Sequence, residues 1–402
     1  MEAPAALVIG GGPAGLMAAE TIAQAGHRVM VCDAMPSLGR KLLMAGRGGL
    51  NLTNAEPLEA LLGRYHPPAT PLLDAVRAFP TEALIAWAER LGQACFTGTS
   101  GRVFPRAMKA SPLLRAWLAR LARMGVVLAA RHRLIGLDHA RRARLATPDG
   151  EVTLEPPALV LALGGASWPR LGSDGGWAGL LAGLGVALTP FAPANGGFLL
   201  PWSGIFATRF AGTPLNGIAL EHDGQRVRGE AMITATGIEG GAIYALSHPL
   251  REAIAAHGSA ILTVDLRPEI AAEALTERLA RVRERESMAN RLRKAAALAP
   301  VAIGLLREAG TLPDTPQALA ARIKSVPLTL TGTAPMARAI SSAGGIAWAG
   351  IGADFSLTAL PGVFAAGEML DWEAPTGGYL LHAALATGRA AGLGAIGVLT
   401  GN

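Results

Sequence analysis

The chain has 402 residues, half of them apolar and 16% charged, with 51 glycines and 27 prolines that follow no fixed period. That balance suits two or three compact domains with a large core and excludes a disordered or collagen-like chain. The formal charge is +6, but only Lys41, Lys109, Lys294 and Lys324 are lysines. The arginines are dispersed, and in Arg281 to Glu286 they alternate with glutamate as on a solvated helix face, so nucleic-acid binding is not expected.

The first forty residues carry the main signal. Ala5 to Ile9 is a short apolar run that enters Gly10-Gly-Gly-Pro-Ala-Gly15, a helical pattern follows from Leu16 to Ala25, and Arg28 to Cys32 is a second strand ending at Asp33. Gly10, Gly12 and Gly15 stand in G-x-G-x-x-G spacing between strand and helix, with an acidic residue about twenty positions on. In that setting Gly10 permits the tight turn, Gly12 lets backbone approach a pyrophosphate, and Gly15 lets helix and strand pack closely. The helix N-terminus, with Pro13 and Ala14 in its first turn, faces the phosphates with unpaired N–H groups. Asp33, with Ala34 beside it, is placed for ribose hydroxyls, which favours NAD or FAD over a 2′-phosphorylated nucleotide.

Residues 39–54 read as an irregular glycine-rich loop. Arg40 and Lys41 are candidate phosphate partners, Gly48 is a candidate cofactor contact, and Arg47, Asn51 and Asn54 are candidates to face a flavin ring; the alternative is an ordinary surface loop. Residues 56–92 have helical spacing, 95–106 reads as a hairpin, and Ser111-Pro112 as a helix start with serine as N-cap. A strand is expected at 125–129, antiparallel strands at 131–155 with Leu134 near the cofactor, and an apolar strand at 155–165 ending in Gly164-Gly165. Proline- and glycine-punctuated β sequence fills 190–267, helical sequence 268–325, and β-like sequence returns at about 326.

The last sixty residues repeat the opening logic. Leu360 to Glu368 is a strand ending at Gly367 and an acid, followed by Pro375-Thr-Gly-Gly-Tyr-Leu-Leu381 and a helix of small residues. Glu368 is a candidate for ribityl hydroxyls. Gly377, Gly378, Tyr379 and Leu380 are candidates for the flavin's pyrimidine edge, where amides stabilise developing negative charge. Gly392 to Gly397 also fits G-x-G-x-x-G but follows a helix, so it reads as helix packing, and no second nucleotide domain is expected. The cofactor read from these features is FAD.

These motifs resemble the FAD-dependent flavoproteins of the YhiN-like or BaiN-like group, known also as NAD(P)/FAD-dependent oxidoreductases or the aminoacetone-oxidase family. The carriers are Gly10 to Met17, Gly39-Arg-Lys-Leu-Leu43, Asn51-Leu-Thr-Asn54, Gly164 to Pro169, Gly344-Gly-Ile346, Ala366 to Asp371 and Pro375 to Tyr379. The resemblance implies an α/β fold: a Rossmann-like, glutathione-reductase-like FAD-binding domain from residues 1–190 and 327–402, a mainly-β insertion at 191–267, and a helical subdomain at 268–326. Leu50 stands where the family commonly has cysteine, and Thr234-Ala235 lacks the histidine of a family Thr-His element.

The expected activity is hydride transfer through bound flavin to or from a small organic substrate, with NAD(P)H as transient reductant. Alternatives are an amine oxidase using O2, a flavoprotein acting on tRNA, and a non-catalytic FAD sensor. Tyr379, Asn51 and Arg47 are the candidate catalytic residues. Trp168 and His382 are further candidates on the substrate side, with core packing the competing role for each. The eight histidines are scattered without H-x-x-x-H, so no metal is expected. Cys32 and Cys95 form no C-x-x-C, which removes a redox disulfide. No apolar run reaches 18 residues and the start lacks a basic leader, so a cytoplasmic protein without integral membrane association is expected.

Overall fold

The computed structural model describes residues 4–46, 48–283 and 285–401. They form two compact units, Met1–Ala192 with Ile340–Asn402, and Pro193–Ala339.

The first unit is built on a parallel sheet. β1 (Ala6–Ile9) lies between β2 (Val29–Asp33) and a strand from much later in the chain. β1 is buried along its whole length, as a strand covered on both faces must be, and its residues are all apolar. The turn after β1 opens α1 (Pro13–Gln24), which has Gly12 as cap, no side-chain cap bond and no acid in its first turn. Its leading amides are therefore unsatisfied within the helix.

After β2 the chain forms α2 (Arg40–Ala45) and β3 (Thr53–Asn54), where an irregular loop was expected. Gly39, at φ 71°, permits the turn into α2, and the Gly39 amide donates to Gly11 O at 2.9 Å. Helices α3 (Leu58–Leu62), α4 (Thr70–Arg77) and α5 (Thr81–Arg90) fill the expected helical stretch, broken at its prolines. β4 (Cys95–Thr97) and β5 (Arg102–Pro105) form the expected hairpin, and β5 also pairs with β3. α6 (Ala110–Arg123) begins before Ser111, with Lys109 at the cap position, so Ser111 is not the N-cap.

β6 (Val127–Ala130) adds to β2. β7 (Arg133–Gly136), β8 (Ala143–Thr147) and β9 (Gly150–Leu154) make an antiparallel sheet, and β10 (Ala158–Leu161) pairs with β1 in parallel. The strand Leu360–Ala365 extends the sheet beyond β10, also in parallel. β1 is thus the point at which successive strands are added to opposite sides, and the crevice at its carboxyl end is where ligands bind in such sheets.

The last helix, Tyr379–Thr400, lies along α1. Small residues allow the approach: a Cβ on Gly388 would sit 2.2 Å from Ala14 O, and one on Gly392 2.9 Å from Thr21 Cβ. The second glycine triplet lies inside this helix, as packing sequence. The helix is long and apolar enough to span a bilayer, yet Ala383, Leu385, Ala386, Ala391 and Ala395 are buried in the core of the first unit. Leu393 and Val398, on the same helix, are exposed.

In the second unit a seven-stranded antiparallel sheet, centred on Pro214–His222 and Gln225–Thr234, shares one core with four helices between Ala272 and Lys324. Leu220, Ile233 and Leu262 from the sheet pack with Leu275, Leu305 and Leu319. The segment 268–326 therefore does not stand apart from the strands. The strand Val326–Leu330 pairs with Ala260–Asp265, which keeps residues 327–339 in the second unit and delays the return to the first until Ile340.

Candidate active site

The crevice at the carboxyl ends of β1, β2 and β10 opens into a cavity of about 520 Å³, within the range of ligand pockets. Residues far apart in sequence line it: the turn after β1, the ends of β2 and α2, the Gly49–Asn51 strip, the start of β7, and the two motifs near the C-terminus. Of the expected residues, Gly10, Gly12, Pro13, Ala14, Asp33, Ala34, Arg40, Lys41, Asn51, Leu134, Gly164, Gly367, Glu368, Gly377, Gly378 and Leu380 are in the lining. Gly15 and Gly48 are not. Arg47 lies outside the described residues.

Each glycine of the opening turn has a separate role. Gly10 sits at φ 112°, and a Cβ there would meet Ala162 O at 2.1 Å, so the turn presses directly on the end of β10. A Cβ on Gly15 would meet Gly10 O at 1.9 Å, which explains why it supports the turn without lining the cavity. Gly12 has no atom within 4 Å of its Cβ position, so that side of the turn is open to the cavity. Asp33 spans the turn: Oδ2 accepts from the Gly11 amide at 2.8 Å and Oδ1 from the Met35 amide at 2.8 Å. The carboxylate is held in place, with lone pairs left for hydroxyls.

The far end of the cavity is built by Glu368 and the glycines before the last helix. Glu368 Oε2 receives Lys41 Nζ at 2.5 Å, and Oε1 receives the Ser342 amide at 3.0 Å. Lys41 also donates to the buried Ser167 hydroxyl at 2.8 Å. Lys41 is therefore tied to Glu368 and Ser167 while it lines the cavity. Gly378, at φ 96°, caps the helix Tyr379–Thr400, and a Cβ there would meet the Thr53 backbone at 2.5 Å. Any other residue would push β3 away and spoil the helix N-terminus that faces the cavity.

Two buried polar atoms in the lining have no partner among the described residues: Arg40 Nε and Asn51 Oδ1. Buried polar atoms are normally satisfied, so a donor and an acceptor facing one cavity call for a polar ligand. FAD fits the set. Arg40 and the α1 amides suit phosphates, Asp33 and Glu368 suit ribose and ribityl hydroxyls, and Asn51 with the Gly378 region suits the ring's amide edge. Leu50, where the family commonly has cysteine, is a fully buried apolar wall of this cavity. Ala235 belongs to the second unit and is exposed.

Tyr379 is placed differently from expectation. Its ring is absent from the lining and lies under Arg64, whose guanidinium carbon is 5.9 Å from the ring centroid. Burial and a hydrogen bond to Glu56 push its hydroxyl well above the usual tyrosine range. Burial also raises the Glu56 carboxyl, but hydrogen bonds from Arg64 and Tyr379 outweigh it and hold the carboxyl below its usual range. The sequence signal placed Tyr379 beside the helix start correctly; the side chain turns toward α3 because Glu56 and Arg64 are there.

His382 is a satisfied core histidine. Its Nε2 donates to Phe79 O at 2.7 Å, leaving Nδ1 to accept from the Thr53 hydroxyl at 2.7 Å. Burial, opposed by the bond to Phe79, lowers its affinity for a proton. Asn54 and Trp168 do not line the cavity. Asn54 accepts from the Glu56 amide through Oδ1, and Trp168 sits at φ 63° before a 3₁₀ turn. Sequence reasoning missed Trp177 and Trp372, both in the lining; their indoles donate to Gly164 O at 2.8 Å and Gly367 O at 2.9 Å. Each lies shortly after a singled-out glycine, which was the available signal. Cys32 is buried in β2, and burial together with the Asp33 charge pushes its thiol up to about 12, so it is inert. Among the described residues no cluster of His, Cys, Asp or Glu could hold a metal.

The sequence matches the family described as HI0933-like protein Rossmann domain over residues 4–394. The flavoprotein resemblance read from the motifs is borne out over nearly the whole chain. A characterised relative is the 3-dehydro-bile acid delta(4,6)-reductase of Clostridium scindens, 26% identical over 272 residues. The match covers 66% of this chain and 65% of the relative, a little under two thirds of its length. The fold is similar to 3-ketosteroid-delta4-(5alpha)-dehydrogenase from Rhodococcus jostii RHA1, with TM-score 0.52, 17% identity and coverage of 98% of this chain and 96% of that one. It is also similar to 3-ketosteroid delta1-dehydrogenase from Sterolibacterium denitrificans, with TM-score 0.53, 12% identity and full coverage of both chains. At such identities these two likenesses speak for the fold.

Proposed function

The chain belongs to the HI0933-like family of flavin-dependent oxidoreductases, and we propose that it holds one FAD in this cavity and reduces or oxidises a small organic substrate, with NAD(P)H as transient reductant. The observation that carries the reading is the cavity itself. It joins the Gly12 turn and Asp33 at one end to Glu368 and Gly378 at the other, and it contains the unpaired Arg40 Nε and Asn51 Oδ1.

FAD, when bound, supplies two-electron hydride chemistry. The protein's own residues bind and orient. The α1 N-terminus and Arg40 neutralise phosphate charge, and Asp33 discriminates against a 2′-phosphate. Glu368, steadied by Lys41 and Ser342, accepts from hydroxyls. The amides opening the helix Tyr379–Thr400 stabilise negative charge at the amide edge, and Asn51 fixes the ring's orientation. Leu42, Leu50, Leu381, Ala384 and Trp372 give that region apolar walls and exclude water. The lining also holds two titratable side chains, His132, whose Nδ1 bonds Ala130 O, and Asp174, which pairs with Arg133.

The relative's name makes bile-acid-like and other conjugated ketones the first substrates to try. Anaerobic titration of the purified protein tests the reading. Bleaching of the flavin band near about 450 nm by NADH or NADPH supports a reductase, and bleaching by an amine supports an oxidase. A flavin that none of these reduces points to a sensor.

A further inference from the structure

Between Glu89 and Asp138 the sequence has no acidic residue, and this stretch includes the β4–β5 hairpin beside the cavity. β5 alternates: Val103 and Pro105 are buried, while Arg102, Phe104 and Arg106 follow the opposite face. Phe96 on β4 lies opposite Phe104, and their rings stack with centroids 5.8 Å apart at 29°. Phe96 is 38% exposed and Met108 36% exposed, and Lys109 follows at the surface. Among the described residues none of Arg102, Arg106 and Lys109 has an ion-pair partner.

This face adjoins the cavity. Met108 O accepts from the Leu50 amide at 2.9 Å. A Cβ on Gly49 would meet the Met108 methyl at 2.7 Å and the Phe104 ring at 3.6 Å. Gly49 and Leu50 both line the cavity, so the aromatic, cationic face backs onto its wall.

An exposed aromatic pair beside three unpaired cations suits a ligand with flat rings and several phosphates. The sequence offers no second G-x-G-x-x-G fingerprint in a strand–turn–helix setting, so a transient dinucleotide would be held by side chains. We propose that the β4–β5 face is the docking site of the nicotinamide dinucleotide, with its phosphates on Arg102, Arg106 and Lys109 and a ring against Phe96. Three cations favour the more highly phosphorylated NADPH over NADH. The proposal rests on the reading that NAD(P)H is the reductant.

The test uses the FAD-loaded protein and calorimetric titration with NADP+ and NAD+, which bind without reducing flavin. The triple variant Arg102→Ala, Arg106→Ala, Lys109→Ala should weaken NADP+ by at least about tenfold and flatten its salt dependence. Phe96→Ala should weaken both nucleotides by several-fold. FAD affinity should not move, since none of these side chains lines the cavity. Unchanged NADP+ affinity in both variants overturns the site. If NADPH still bleaches the flavin of the triple variant with the wild-type KM, the reductant reading stands and this location falls. If neither nucleotide binds the wild type, both fall.

Discussion

Lys41 Nζ stands 2.5 Å from Glu368 Oε2, joining two residues 327 positions apart. The contact ties α2, from the first part of the chain, to the acid that ends the Leu360–Ala365 strand, and Ser167 and Ser342 complete the network. Both side chains are partly shielded, at 28% and 17% exposure, so the pair is stronger than a surface ion pair and weaker than a fully buried one. Lys41→Met leaves Glu368 with an uncompensated charge in the cavity. FAD affinity should fall about tenfold, about 1.4 kcal/mol. Glu368→Gln should weaken binding similarly, and the double variant should lose less than the sum, because the two residues act as one unit. Flavin fluorescence titration of the four proteins measures this; strict additivity would show that the pair is incidental.

The opening glycines should separate stability from binding. Gly15→Ala drives a methyl into Gly10 O and should destabilise the apoprotein by about 3 kcal/mol or more. Gly12→Ala meets nothing in the protein, so apoprotein stability should stay within about 0.5 kcal/mol. FAD affinity should nevertheless drop at least about tenfold, because the new methyl occupies the side open to the cavity. Thermal unfolding of the apoproteins and FAD titration read the two effects independently.

Tyr379→Phe should lose about 1 kcal/mol of stability through the hydroxyl's bond to Glu56. Turnover and FAD affinity should remain within about twofold, a change of less than about 0.5 kcal/mol. A collapse in turnover at unchanged stability would restore the tyrosine to the chemistry.

His382 predicts a pH dependence. Burial holds its folded-state pKa below the unfolded value of about 6.5. Below that pH the unfolded chain takes up a proton that the folded protein refuses. Its contribution to stability is thus complete above about pH 7 and is lost as pH falls, with a slope of at most about 1.4 kcal/mol per pH unit. His382→Gln should be less stable at neutral pH and should show a shallower decline toward acid. Equal slopes in denaturant unfolding at several pH values would rule out His382 as the titrating group.

Local patterns made the first unit's frame readable. An apolar strand, a glycine turn and a small-residue helix recur at Ala6–Gln24 and at Leu360–Thr400, and each specifies its own shape through contacts nearby in sequence. What escaped were features set by partners distant in sequence. Nothing in the sequence near Lys41 announces its partners Glu368 and Ser167. The Tyr379 ring is drawn aside by Glu56 and Arg64, more than three hundred positions earlier, and no local pattern announces that contact. The helix Arg40–Ala45 was hidden because glycines flank it on both sides and it spans only six residues. The division at Ile340 has no local mark in the sequence, because the strand Val326–Leu330 follows helical sequence and its pairing with Ala260–Asp265 is a tertiary choice.

The central claim is that one cavity, assembled from both ends of the chain, holds FAD by its ADP end as well as its ring. Calorimetric titration of the apoprotein with FAD and, separately, with FMN tests it most directly. The account predicts one FAD per chain, bound at least about a hundredfold more tightly than FMN, about 2.7 kcal/mol, since FMN makes no contact with Asp33 or its neighbours. A protein that binds no FAD, or that binds FMN equally well, would contradict it.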